Sequence, residues 1–384
     1  VTHDVVVVGA GVMGASVAWH LTTMGVRDVL LVDAGAAPGA GSTGRATGGY
    51  RAQYASAVNV RLSLRSREKL LRFHDDTGGD CGYRPVGYLF LATRPASLAV
   101  LRDAQRVQHA AGLAEARMLG RDEIGTVQPH IALDGVAGAA WCPSDGYIRP
   151  MGLLEGWLDA ARRAGAQVRW HAPVERIERD GDRVTAVHAG GERIAAGTVV
   201  NAAGAWAAHV AALAGHALPV VPVRRQVAIT APTDALPPGS PMTIFVEDGF
   251  HFRVRDGRVL LLLPEETRGA HPHDTAFDPA WLDRLRAHLW RVPALAGVPI
   301  DEAASWCGLY EMSPDHHAIA GRVPGLANMV ALAGSSGHGV MHSPALGELV
   351  AETIVHGAPR TLDGHALRPG RFDEGEPNPA PVLL

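Results

Sequence analysis

Four consecutive valines, Val5, Val6, Val7 and Val8, lead into the turn GAGVMG, an apolar stretch of helical period, and LLVD ending at Asp33. A short β-branched run with no polar alternation reads as a strand buried on both faces, and the glycines after it as the passage from strand to helix. The same strand, small-residue turn and apolar helix recur in TVVNAAGAWA (198–207) and in MVALAGSSGHGVMHSPALGELVAETI (329–354). Between these segments the texture differs. Residues 58–76 predict a charged helix with Leu62, Leu70 and Phe73 inward, 96–114 an amphipathic helix, and 150–164 a further helix. Short strands are predicted at VGYLFLAT, through a meander over 167–204, and at VPVRRQVAIT, TIFVEDGFHFRV and GRVLLLL, followed by a helix over 279–290. Alternation in TIFVEDGFHFRV sets His251 and Arg253 on one face and Phe250 and Phe252 on the other.

The first turn has the chemistry of a dinucleotide site. Gly9 permits the tight turn, Gly11 lets backbone approach a pyrophosphate, and Gly14 allows the helix to pack closely on the strand. The unpaired amides of the helix start, at Val12 and Met13, face the phosphates. Asp33 lies 24 residues after Gly9, where an acid accepts hydrogen bonds from ribose hydroxyls, with Ala34 beside it. A purely structural glycine turn does not need the acid at that distance. Because the glycine joints fall near the beginning, middle and end of the chain, one nucleotide domain is expected to be assembled from dispersed segments. The expected fold is α/β: a Rossmann-like domain from 1–80, 147–215 and 318–370, with an inserted α+β substrate domain from 81–146 and 216–317 built on a mainly antiparallel sheet. Residues 371–384, rich in proline and acid, are expected to form a loose tail.

Taken in order, GAGVMG with Asp33, GSTGRATGGYR (41–51), NAAGAW (201–206), YEMSPDHHAIAG (310–321) and GSSGHGVMHSPALGE (334–348) resemble the FAD-dependent amine oxidoreductases that include sarcosine oxidase, glycine oxidase, D-amino acid oxidase and the proline dehydrogenase β subunit. The resemblance covers nearly the whole chain. It implies FAD held by Ser42, Thr43 and Thr47, with Gly48 and Gly49 along one flavin face and Arg45 as a candidate phosphate ligand. It adds Val174, Ala203, Gly204, Trp206 and Gly308 as cofactor neighbours. The last turn, Gly334, Ser336, Gly337, His338, Gly339, Val340 and Met341, would bring amides to the side of the flavin where negative charge accumulates on reduction. It also implies that Arg51 clamps the substrate carboxylate, a role that suits a guanidinium, against the alternative of a domain-bridging arginine. His251 stands where relatives often have tyrosine; it orients the amine or takes its proton, or is an edge-strand histidine in water.

Three departures from the sarcosine oxidase pattern matter. Met341 replaces a lysine that is a second carboxylate partner. Cys307 is one residue from the position of covalent flavin attachment, which falls on Gly308, so non-covalent FAD is expected. The lysine that activates dioxygen is matched by Val259 or a neighbour, and the single lysine of the chain, Lys69, is on a distant helix.

Composition narrows the classes without choosing a reaction. The chain has 384 residues, 47% of them apolar, and a formal net charge of −4 without single-sign runs, which argues against nucleic acid as a partner. No apolar run approaches the roughly 18 residues of a membrane span. Cys81, Cys142 and Cys307 lack metal or disulfide spacing, and the pairs His316/His317 and His271/His273 lack a third ligand, so no metal is expected. A cytoplasmic location fits this usage. The expected activity is FAD-dependent oxidation of a secondary or N-methyl amino acid, by hydride transfer to the flavin and imine hydrolysis. The electron acceptor is dioxygen, a quinone, or an electron-transfer protein or partner subunit, with dehydrogenase chemistry favoured. Rival readings are an auxiliary FAD subunit and a 2-hydroxy-acid dehydrogenase.

Overall fold

The computed structural model describes residues 2–265 and 269–379. Two eight-stranded sheets carry the chain. In the first, the parallel strands Val29–Val32, Thr2–Val8, Glu192–Asn201 and Met329–Ala333 lie side by side, with Gln167–Arg169 at one edge and the antiparallel Ile319–Arg322 at the other. Alternation splits the valine run: Val5 and Val7 pack with the helices Val12–Thr23, Pro150–Arg163 and Gly339–His356, while Val6 and Val8 join the opposite core with Val210 and Ala211 of the helix Ala207–Leu213. Burial on both faces is why this strand needs no polar alternation.

The second sheet runs, in spatial order, Trp306–Met312, Val221–Ile229, Arg258–Leu262, His251–Arg255, Met242–Phe245, Tyr88–Ala92, Gly138–Cys142 and Arg117–Leu119. Only the Met242–Phe245 and Tyr88–Ala92 pairing is parallel. Phe250, Phe252, Val254 and Leu261 face a core capped by Trp281 and Leu285, leaving His251 and Arg253 on the other face, as their alternation predicts. The chain thus has the mixed α/β architecture expected of it, with a nucleotide-type sheet drawn from three separated stretches. No helix among the described residues is long and apolar enough to cross a membrane.

Some boundaries differ from the expectation. The helix over 58–76 breaks at Arg72 into Ala57–Leu71 and Phe73–Thr77, and the 96–114 helix stops at Ala110 before Gly112, whose φ of +104° ends it. The helix over 279–290 shortens to Trp281–Arg286, followed by a 3₁₀ turn.

The larger correction concerns the C-terminal segment, which is docked as far as it is described. Arg371 is fully buried and forms a two-point ion pair with Asp315, at 2.8 and 2.9 Å, while Asn378 donates from backbone and side chain to the same carboxylate. These donors hold the Asp315 carboxyl below its ordinary range against the opposing effect of burial. The composition of the tail disguised this because its anchoring partner lies 56 residues upstream. Residues 380–384 of the expected tail lie outside the described residues. Arg371→Met strands a buried carboxylate, so unfolding free energy is expected to fall by about 3 kcal/mol, with the double change Arg371→Met, Asp315→Leu recovering a large part of it. Urea unfolding of the three proteins checks this; equal losses in the single and double variants would contradict it.

Candidate functional site

A cavity of about 780 Å³ runs from the C-terminal ends of the first sheet's strands to the open face of the second. All the residues proposed from sequence as cofactor or substrate contacts line it except two. Gly14 instead packs beneath the first turn, where an added Cβ would stand 1.9 Å from the Gly9 carbonyl oxygen. Gly334 makes the turn behind the cavity wall, against Ile319 and Ser313.

At the first end the strand Thr2–Val8 turns through Gly9, whose φ is +101° and whose missing side chain leaves room for the Ala202 carbonyl. At Gly11 the reason for glycine is different. An added Cβ would meet only Thr43 Oγ1, at 3.4 Å, so the space it leaves belongs to the cavity. Thr43 Oγ1 accepts from the Val12 amide at 3.2 Å, joining the loop 41–49 to the first helix's N-terminus. Asp33 accepts from the amides of Ala10 and Gly35, both at 2.7 Å, and a carboxylate so held keeps lone pairs for further donors. Arg45 donates to the Ala40 and Gly41 carbonyls at 2.7 and 3.3 Å.

The other end is built by the second sheet and the turn before helix Gly339–His356. Arg51 is 6% exposed, with its guanidinium 4.3 Å from the Tyr54 ring centroid and 3.3 Å from His338 Nε2. Among the described residues no carboxylate pairs with it. Asp145 lies behind it but accepts from the Ala52 amide and from Gln53, and burial raises its carboxyl to about 6. His338 is held neutral by burial and by the adjacent Arg51 charge. One turn on, His342 pairs through Nε2 with Ser63 Oγ, which donates to the Arg51 carbonyl. Met341 Sδ accepts from the Tyr54 hydroxyl at 3.2 Å, so the position that differs from sarcosine oxidases fixes the ring on which Arg51 rests.

On the sheet, His251 Nδ1 donates to the Gly249 carbonyl at 2.7 Å, which leaves Nε2 as an acceptor. Burial first, then Arg51 and Arg225, lowers its basicity to about 4. Arg253 stacks on Tyr147 and donates to the carbonyls of Thr47 and Gly48, pinning the loop that carries those residues.

Sequence reasoning missed four features. Val259 is packed in the core behind the sheet, whereas Leu262, three residues along and on the opposite face, lines the cavity. Arg225 and Tyr310 also line the cavity; alternation within VPVRRQVAIT contained the signal for Arg225. Glu311 lines it as well, with Oε2 buried and unpartnered and its carboxyl raised to about 7 by burial against amide donation from Ser335. His316 and His273, weighed only as metal ligands, line it too, with His273 edge-on to Trp206. Cys307 is buried with its side chain off the cavity, and Gly308 presents the lining surface.

A long cavity with a helix N-terminus, an acid at a glycine turn, an orphaned carboxyl oxygen and glycines where backbone must be approached fits an adenine dinucleotide. The known proteins similar to this chain agree. It is 30% identical to FAD-dependent oxidoreductase domain-containing protein 1 of Xenopus laevis, over 97% of this chain and 83% of that protein. It is 27% identical to the formaldehyde-forming 4-methylaminobutanoate oxidase of Paenarthrobacter nicotinovorans over 97% of its own length, but spans only 46% of that protein. Among solved structures, L-proline dehydrogenase from P. horikoshii superposes with a TM-score of 0.91 at 27% identity, covering 98% of this chain and 99% of the other. Residues 4–353 match the DAO family, FAD dependent oxidoreductase, and the chain belongs to that family of amino-acid and amine oxidising flavoproteins.

Proposed function

We propose that this protein oxidises a secondary amino acid, sarcosine- or proline-like, binding its carboxylate on Arg51. The observation that carries the reading is the Arg51 guanidinium itself: buried at a cavity wall, supported on an aromatic ring and lacking a carboxylate partner among the described residues. A buried cation without a counter-ion is costly, so the site favours an anion. The names of two similar proteins, 4-methylaminobutanoate oxidase and L-proline dehydrogenase, describe secondary amines that bear a carboxylate.

When bound, FAD supplies the acceptor for the hydride leaving the carbon beside nitrogen. In this reading the amides of Gly11, Val12 and Met13 and the hydroxyl of Thr43 hold the pyrophosphate, and Asp33 with Ala34 holds the adenosine ribose. Ser42, Arg45, Thr47, Val174, Ala203, Gly204 and Trp206 flank the middle of the cofactor. Gly48, Gly49, Gly308 and the amides of 336–341 surround its ring. Attachment is non-covalent, since Gly308 offers no nucleophile and Cys307 faces away.

Arg51 fixes the carboxylate, and His251 Nε2, unprotonated, accepts the amine N–H and so aims the nitrogen lone pair. The substrate must arrive as the free amine, because an ammonium has no lone pair to stabilise the developing iminium. Leucine at 262 puts no cation over the cavity from that strand, which favours an acceptor other than dioxygen: a quinone or an electron-transfer protein.

Anaerobic mixing with sarcosine, other N-methyl amino acids and proline is expected to bleach the flavin, with slow recovery in air; absence of bleaching by any amine would sink the reading. Arg51→Met should lower kcat/KM by roughly 100-fold, mostly through KM. The rise of kcat/KM with pH should follow the substrate amine and be unchanged in His251→Gln, because His251 is already neutral above about pH 4. A limb near pH 6 that vanishes in the variant would assign the proton to His251 instead.

Glu311 adds a second pH effect. Its carboxyl is neutral below about 7 and charged above, so FAD affinity should weaken as pH rises from 6 to 8.5 and anion meets anionic cofactor. The expected change is about tenfold, absent in Glu311→Gln, and read from flavin fluorescence on titrating apoprotein with FAD.

A further inference from the structure

The cavity holds a second cation that the proposed reaction leaves unused. On the strand Val221–Ile229, Val227 and Ile229 pack with Leu260 and Leu262 on the face that bears the cavity. Two residues before Val227 the same face presents Arg225, whose guanidinium lies 5.3 Å from the Tyr310 ring centroid. Its hydrogen bond runs to the Arg224 carbonyl at 2.8 Å, and no carboxylate among the described residues pairs with it. Arg224, facing the other way, takes Asp274.

Sheet order sets the two uncompensated arginines apart. From Val221–Ile229 the path crosses Arg258–Leu262, His251–Arg255 and Met242–Phe245 to Tyr88–Ala92. Arg51 lies over Phe90 of that last strand, 5.3 Å from the ring centroid. Four inter-strand steps of ~4.8 Å separate the strand of Arg225 from that of Phe90, about 19 Å, and His251 stands on the middle strand of the five. Both guanidinium groups act on the His251 imidazole. A monocarboxylate held by Arg51 would leave the second, half-buried cation beside Leu262, Val227 and Tyr310 with no carboxylate partner among the described residues.

We propose that the substrate is an amino dicarboxylate, its α-carboxylate on Arg51, its nitrogen at His251 and its second carboxylate on Arg225. This rests on the amine-oxidising reading above and adds the second acid to it. Arg225 is then the residue that selects for substrate charge, and neutral amino acids such as sarcosine are the poorer ligands.

The test separates binding from turnover. Holoenzyme is titrated under argon with succinate, glutarate and adipate, each against its own monoamide, following perturbation of the flavin absorbance. At least one diacid is expected to bind about tenfold or more tightly than its monoamide, the scale of one charge-assisted contact. Arg225→Gln should bring that pair within about twofold, and Arg225→Lys should restore part of the preference. Equal binding of every pair in the native protein overturns the proposal, as does a preference that survives Arg225→Gln. Loss of FAD from Arg225→Gln, with the diacid preference intact in the fraction still loaded, assigns Arg225 to the cofactor and also overturns it. N-methylglutamate and N-methylglutamine are then compared as reductants of the flavin. If diacids bind through Arg225 but no amine reduces the flavin, it is the amine-oxidising reading that falls, and the dicarboxylate site stands.

Discussion

The approach of backbone to backbone at the C-terminal edge of the first sheet is the constraint on which the site depends. Three parallel strands, Thr2–Val8, Glu192–Asn201 and Met329–Ala333, end there side by side and pass into turns of glycine and other small residues. The turn at Gly9 can sit against the Ala202 carbonyl only because Gly9 has no side chain in the way, and Gly14 lets the following helix settle onto that turn. Closing the edge this tightly points the amides of the first helix and those of the last turn into one cavity, although the two are separated by more than three hundred residues of sequence. A helix N-terminus carries unpaired donors wherever it occurs. Converging two of them along one elongated space makes a cradle for a dinucleotide.

The far wall uses the opposite electrostatic design. There Arg51, just after the short strand Gly49–Tyr50, and Arg225 of the second sheet face the cavity with no carboxylate paired to either among the described residues, while Asp145 is turned onto Ala52 and Gln53. The histidines among them are kept neutral by burial first and then by guanidinium charge, from Arg51 and Arg225 at His251 and from Arg51 at His338. His251 therefore keeps Nε2 as an acceptor toward whatever enters, while the acceptor nitrogen of His338 is taken by Arg51. Guanidinium charge set beside neutral histidine suits a ligand with a carboxylate at one point and an uncharged amine at another.

Much of the first wall was legible in the sequence because it is local chemistry. A valine run, a glycine turn and an acid at fixed spacing specify one small unit whose geometry follows from covalent structure, and the same grammar in two later segments marked strands that join the same sheet. The second wall was harder to read. Alternation assigned His251 to the cavity face because its strand has polar residues against phenylalanines. It could not narrow the position matched as Val259 or a neighbour, because every residue of the run VLLLL is apolar and a face can be assigned only once the register to His251–Arg255 is known. Glu311 lies inside the stretch YEMSPDHHAIAG without a role assigned to it there, and Arg225 falls in no motif; each looks like an ordinary strand charge until the sheets are brought together.

The docked C-terminal segment shows why such residues resist reading from composition. Its acid and proline content suggests a solvated tail, yet Arg371 and Asn378 close on Asp315, in the loop that follows the strand bearing Tyr310 and Glu311. Within that loop His317 accepts from Ser56 at 2.7 Å, and His316, with φ of +59°, lines the cavity. The loop is therefore held from the first domain's helix Ala57–Leu71 side and from the C-terminal segment at once, and the strand that enters it carries groups to the cavity. The loop leaving Tyr310 and Glu311 is thus anchored by an ion pair whose arginine, Arg371, neither lines the cavity nor lies near them in sequence. Local pattern contains the site's backbone donors; its side-chain charges are placed by contacts between segments, and those exist only in the folded chain.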